Sequence, residues 1–162
     1  MKRKILTLAI FGATFYAILG SEIFFVNVTA SLPVGLYLRT PDRNFQRGDY
    51  IIYEPAPPVK NILEENGWET DAKFFMKTVG GIGGDSYSIT ETGEFFIGNK
   101  RIGKTFSKDG RGKKLPQLRG RFEISKGYVL PIGTNEKSFD GRYTGVIAEE
   151  DIKCKVIPIW TR

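Results

Sequence analysis

The chain opens on an unbroken apolar run and then changes rhythm. Residues 5–20, ILTLAIFGATFYAILG, carry no charge and follow Lys2, Arg3 and Lys4. As a helix, such a run reaches about 24 Å at ~1.5 Å per residue, short of a ~30 Å hydrocarbon core. Continuing through Ile23-Phe24-Phe25-Val26, with Glu22 the one charge crossed, makes it long enough. The pattern predicts one N-terminal transmembrane helix over residues 1–26. Leader cleavage needs small residues at −3 and −1. A cut after Gly20 puts Ile18 at −3, and a cut after Ala17 puts Phe15 there. A retained anchor therefore fits better than a cleaved signal sequence. The basic flank places the N-terminus in the cytoplasm and residues 27–162 outside.

From residue 27 onward the apolar positions come in short runs punctuated by Gly, Pro, Asn and Asp. Strands are expected at 36–38, 50–54, 74–79, 86–90, 94–97, 100–102, 127–132, 146–147 and 156–160. Gly98-Asn99 reads as a hairpin turn, and the glycines at 80, 81, 83 and 84 as a strand-joining turn. Residues 59–66 suit two helical turns closed by Gly67. Closely spaced strands with little helix predict a mainly β, largely antiparallel fold in one domain, 27–162.

Composition narrows the chemistry. The 162 residues include 19 glycines, 13% aromatics and 26% charged residues, which suits a turn-rich β protein. Histidine is absent, so a Ser-His-Asp triad and a His-ligated zinc site are excluded. Cys154 is the one cysteine, which excludes an internal disulfide and a Cys-His dyad. Its alternating surroundings predict a small buried apolar residue. No metal or cofactor is expected. The net charge of +6 suits an anionic membrane surface or plain solubility; no nucleic-acid-binding motif accompanies it, so nucleic acid is not expected as a partner.

Three clusters carry candidate chemistry. Ser31 lies in VTASLPVGLY, residues 28–37, just past the apolar segment, and is a turn residue or a nucleophile. Without histidine a serine needs a lysine or carboxylate base, and a lysine serves only where burial lowers its pKa. Lys77, in Phe74-Phe75-Met76-Lys77-Thr78-Val79, fits that requirement, although the exposed face of a half-buried strand fits the pattern as well. Phe75, Lys77 and Val79 fall on one strand face. The third cluster, Ser138-Phe139-Asp140-Gly141-Arg142-Tyr143-Thr144-Gly145, is by itself a polar turn with an Asp140–Arg142 pair.

In this order, behind an anchor, the clusters resemble the type I signal peptidase family, and within it the conjugative-transfer TraF-type peptidases. The resemblance spans nearly the whole chain. It rests on Ser31-Leu32-Pro33 continuing into Val34-Gly35-Leu36-Tyr37, on Arg47-Gly48-Asp49-Tyr50-Ile51-Ile52, on 76–85 (MKTVGGIGGD), on 96–100 (FIGNK) and on 138–145 (SFDGRYTG). It implies a signal-peptidase-like antiparallel β fold in which Ser31 attacks the scissile carbonyl and Lys77 is the general base. The Ser31 N–H and the Thr29 hydroxyl would serve the oxyanion, Ser138 would orient the Lys77 amine, and Asp140 and Arg142 would pair beside the site. Gly141 and Thr78 stand where the family commonly has serine and arginine. The implied substrate is an exported precursor, a conjugative pilin first, bound as an added strand and released by hydrolysis or cyclisation. The implied location is the bacterial inner membrane, with the catalytic domain periplasmic and the bilayer holding the N-terminal helix. Two other readings stay open: a general type I signal peptidase, and a non-catalytic membrane-anchored β assembly module. The basic segment 107–121, with six Lys or Arg against one Asp, could serve a partner, anionic lipid or solvent.

Overall fold

The computed structural model describes residues 22–68 and 73–162. Most of the expected anchor, 1–21, lies outside them. Among the described residues no helix is long and apolar enough to cross a membrane. The expected extension of the anchor helix through 23–26 is corrected here. Phe24–Asn27 is strand β1, paired antiparallel with β2 (Gly35–Thr40) in the register Phe24 to Leu38 and Asn27 to Gly35. Aromatic and β-branched residues, with one side of the backbone paired to a neighbouring strand, favour a ladder over a helix.

The remaining strands are β3 (Tyr50–Tyr53), β4 (Phe75–Ile82), β5 (Ser86–Ile89), β6 (Glu94–Ile97), β7 (Lys100–Lys104), β8 (Gly120–Glu123), β9 (Tyr128–Ile132), β10 (Ile147–Ala148) and β11 (Ile152–Thr161). Seven form one sheet in the order β1-β2-β11-β3-β4-β9-β10, and four form a second in the order β7-β6-β5-β8. Every pairing is antiparallel. The mainly β, antiparallel expectation holds. Strand β8, which begins at the end of the basic segment, was not foreseen.

Two of the apolar clusters lie within the large sheet. Ile51, Tyr53, Val79, Val129 and Ile152 pack on one face with Phe45. Tyr37, Ile52, Cys154 and Val156 pack together from neighbouring strands, which gives Cys154 the buried apolar place expected of it. The third cluster joins the sheets: Ile89, Phe95 and Ile124 meet Leu130 and Ile132 of β9. This junction explains a second correction. Gly80 and Gly81 belong to β4, and only Gly83-Gly84 turn the chain. A Cβ on Gly80 would sit 2.5 Å from Ile132 Cγ1, and one on Gly81 would sit 2.7 Å from Ile124 Cδ1. The glycines thin the strand so that the second sheet can close on it.

Helix α1 (Pro57–Glu65) starts two residues earlier than expected, because prolines suit the first helical positions, where no N–H is needed. It stops at Gly67, whose φ of 63° lets the Trp68 N–H reach back to Leu63 O at 2.8 Å. That stop sets Leu63 and Trp68 against the groove described below. Helix α2 (Gly141–Thr144) is a single turn capped by the Asp140 side chain.

Candidate active site

Ser31 stands on the loop between β1 and β2, and Asn27 holds that loop. The Asn27 side chain donates to the carbonyls of Thr29, Leu32 and Pro33 at 2.9–3.0 Å. Its oxygen accepts from the Thr29 N–H at 3.2 Å and the Thr29 hydroxyl at 2.9 Å. The Tyr37 hydroxyl adds a bond to Pro33 O at 2.7 Å. From the far side, Thr134 donates to Ser31 O through its N–H at 2.8 Å and its hydroxyl at 3.2 Å. The serine is therefore fixed from both of its flanks, with its hydroxyl left to face the groove.

Lys77 lies on β4, the centre of the site. Strand β4 pairs with β3 on one side, Lys77 opposite Ile51, and with β9 on the other. Only 5% of the residue is exposed, and its ammonium sits 5.4 Å from the centre of the Phe75 ring. Burial lowers its pKa to about 8; the charge of Asp140 opposes that fall and the charge of Arg142 assists it. Of the two readings of the lysine, the buried one is the structure's.

The third cluster supplies those charges. Asp140 and Arg142 are 0% and 1% exposed. Asp140 Oδ1 accepts from the Arg142 N–H and Nε at 3.1 and 2.9 Å, and Oδ2 accepts from Arg142 Nη2 and the Gly133 N–H at 2.7 and 2.8 Å. Those four bonds use the carboxylate's acceptor positions, so Asp140 acts on Lys77 through space. Arg142 also donates to Glu136 O and Asn135 O at 2.9 and 2.8 Å. Burial alone would lower the pKa of Arg142, but the hydrogen bond and charge of Asp140 outweigh it and raise it. The pair locks the 133–142 loop. There Gly133 is required: a Cβ on it would come within 2.2 Å of Ser138 Oγ and 3.0 Å of Ser31 O.

Ser138 donates to Ser31 Oγ at 3.3 Å. It was expected beside the lysine amine; the hydrogen bond present is to the serine. A hydroxyl that accepts from one partner keeps its own proton for another, so Ser138 leaves the Ser31 proton free for a base. Thr29 is placed differently from its expected oxyanion role. Its one proton points at Asn27, and it can serve an oxyanion only by turning away. Asn27 and Thr134 were missed by sequence reasoning. For Asn27, an amide directly after Ile23-Phe24-Phe25-Val26 was the signal available.

The two departures from the expected motif have local causes. A Cβ on Gly141 would lie 2.7 Å from Pro131 O and from Leu130 Cδ1, so no larger residue fits. Thr78 donates to Ile132 O at 2.7 Å, where it ties β4 to β9. Two further motif pieces also meet. Arg47 pairs with Asp85, whose Oδ2 accepts from Arg47 Nε at 2.7 Å and from the Ile82 N–H at 2.9 Å.

Ser31 and Lys77 line one groove of about 440 Å³, together with Phe25–Thr29, Phe74–Met76, Leu63, Trp68 and Phe139. A model of the family described as signal peptidase, peptidase S26, matches residues 3–161. The chain belongs to that family. Two proteins from Escherichia coli, both called Plasmid transfer protein TraF, are similar to it. One is 29% identical over 146 residues and the other 27% over 148, each covering 84% of this chain and 82% of the relative. The S26 fold here thus carries its serine on the β1–β2 loop and its lysine on β4, both on the lining of one apolar groove.

Proposed function

We propose that this chain is a serine endopeptidase with a Ser31–Lys77 dyad, held in the bacterial inner membrane by the apolar segment before β1, with its catalytic domain periplasmic. Its substrate is an exported precursor, a conjugative pilin subunit, from which it removes a terminal segment. The observation that carries this reading is a lysine of depressed pKa buried on the same groove as a serine. Lys77 takes the Ser31 proton as Oγ attacks the carbonyl, then returns it to the leaving amine. The Ser31 N–H receives the oxyanion. Water resolves the acyl-enzyme in hydrolysis; a substrate amine resolves it in cyclisation. The kinship to plasmid transfer proteins supports a conjugative substrate. Exposed Val26, Val28, Ile157, Ile159 and Trp160 support a position at the bilayer surface.

The test is co-expression with a pilin precursor, read by intact mass. The wild-type chain shortens it, and Ser31→Ala and Lys77→Ala leave it whole; a product lighter by one further water marks cyclisation. Processing by either variant at the wild-type rate sinks the dyad. With a purified soluble peptide, kcat/KM rises about tenfold per pH unit up to about 8 and then levels, because the neutral amine is the active form. A flat profile between pH 6 and 8 contradicts Lys77 as the base.

A further inference from the structure

The dyad leaves the basic segment unused, and the cavity beside it. This second cavity, of about 450 Å³, is lined by the aromatic rings of Trp68, Phe106, Phe139 and Tyr143. Trp68 and Phe139 also line the Ser31–Lys77 groove, so the two spaces share a wall. That wall is built. The Trp68 and Phe139 rings meet edge to face with centroids 5.1 Å apart, and Phe139 stacks on Tyr143 at 5.5 Å. The Tyr143 hydroxyl accepts from the Phe106 N–H at 3.0 Å.

The charge on this lining is net positive. Lys108 and Lys137 line it with Asp109. The Asp109 carboxylate is occupied: Oδ2 accepts from the Trp68 indole at 2.7 Å, and Oδ1 from the Arg111 and Lys113 N–H groups at 2.8 and 2.7 Å. Neither lysine is ion-paired to a described residue. An aromatic box with two free cations on its lining matches an apolar ring next to an anion.

We propose that this cavity is an extended substrate subsite, which takes an aromatic side chain followed by an acidic one from the same polypeptide whose scissile bond lies in the Ser31–Lys77 groove. The inference rests on the peptidase reading and gives it a specificity element carried by Lys108 and Lys137. Both lysines are exposed, so replacing them leaves the core intact. Binding is measured by fluorescence anisotropy on the full chain bearing Ser31→Ala, with labelled Ala/Ser peptides that carry one Phe-Glu pair, and matched Phe-Lys and Ala-Glu peptides. The Phe-Glu peptide binds about tenfold tighter than either control. The double variant Lys108→Glu/Lys137→Glu reverses the order of Phe-Glu and Phe-Lys. Equal affinity for all three peptides, or an unchanged order in the double variant, overturns the subsite and leaves the dyad standing. Cleavage of a peptide that survives Ser31→Ala overturns the dyad instead, and the subsite with it.

Discussion

The two walls of the groove are held by different physics. The Ser31 wall is a loop at the edge of the sheet, fixed by neutral hydrogen bonds from Asn27, Tyr37 and Thr134. The Lys77 wall is the middle of the sheet, dry and charged, where Asp140 and Arg142 are locked together beneath a lysine. A nucleophile needs position and access. A lysine base needs dehydration, which is costly and so must be built into the core. The contrast also predicts where stability and activity trade against each other: mutations on the lysine wall move both, and those on the serine wall move mostly activity.

The largest effect should come from Asp140→Ala. It leaves Arg142 buried without its partner and strips the Gly133 N–H, at a cost of about 3–5 kcal/mol. Chemical denaturation with and without the variant measures it. A loss under 1 kcal/mol would mean that the pair is not the lock described here.

Lys77→Met should do the opposite to stability while abolishing cleavage. The folded pKa of about 8 lies below the ordinary 10.5, so the native state holds its proton less tightly than the unfolded chain. The cost, about 3 kcal/mol at ~1.4 kcal/mol per pKa unit, is complete below pH 8 and vanishes as pH rises to 10.5. The methionine variant is therefore more stable than wild type at pH 7, and the advantage fades by pH 10.5. An advantage that does not change with pH would assign it to packing instead.

Thr29→Val tests the serine wall. Its hydroxyl gives one bond to Asn27, worth about 1 kcal/mol. The expected fall in kcat is under tenfold. A fall of about a hundredfold or more would show that the hydroxyl turns to serve the oxyanion. The smallest effect is expected at the rim. Arg47→Ala removes an exposed pair with Asp85 and should leave the denaturation midpoint nearly unchanged, the more so in high salt. A larger loss would make the 47–49 turn part of the site's support.

Local signals made much of this legible. Periodicity and turn residues located most strands, and the absence of histidine pointed from Ser31 to a lysine. What escaped was long-range. Strand β1 was hidden because Phe24, Phe25 and Val26 suit a membrane helix and an edge strand equally, and only pairing with β2 decides between them. Gly80-Gly81 read as a turn because the reason for two small residues lies in Ile124 and Ile132, far along the chain. The burial of Lys77 could not be read from alternation, which puts Phe75, Lys77 and Val79 on one face without saying whether that face is covered. The bond from Ser138 to Ser31 was not legible because a sequence orders residues but does not measure the gap between them.

The place of β11 has a consequence for how the protein comes into being. It is the last strand in chain order, yet it lies between β2 and β3. Without it the sheet falls into two pieces: β1-β2, with the Ser31 loop, and β3-β4-β9-β10, with Lys77 and the Asp140 lock. In a chain still being made, the Ser31 loop meets the Lys77 half through Thr134 and Ser138, and the sheet itself is continuous only once β11 has emerged and zipped the halves. The fold thus acts as a timer, and the sheet that frames the groove is completed only with the final strand.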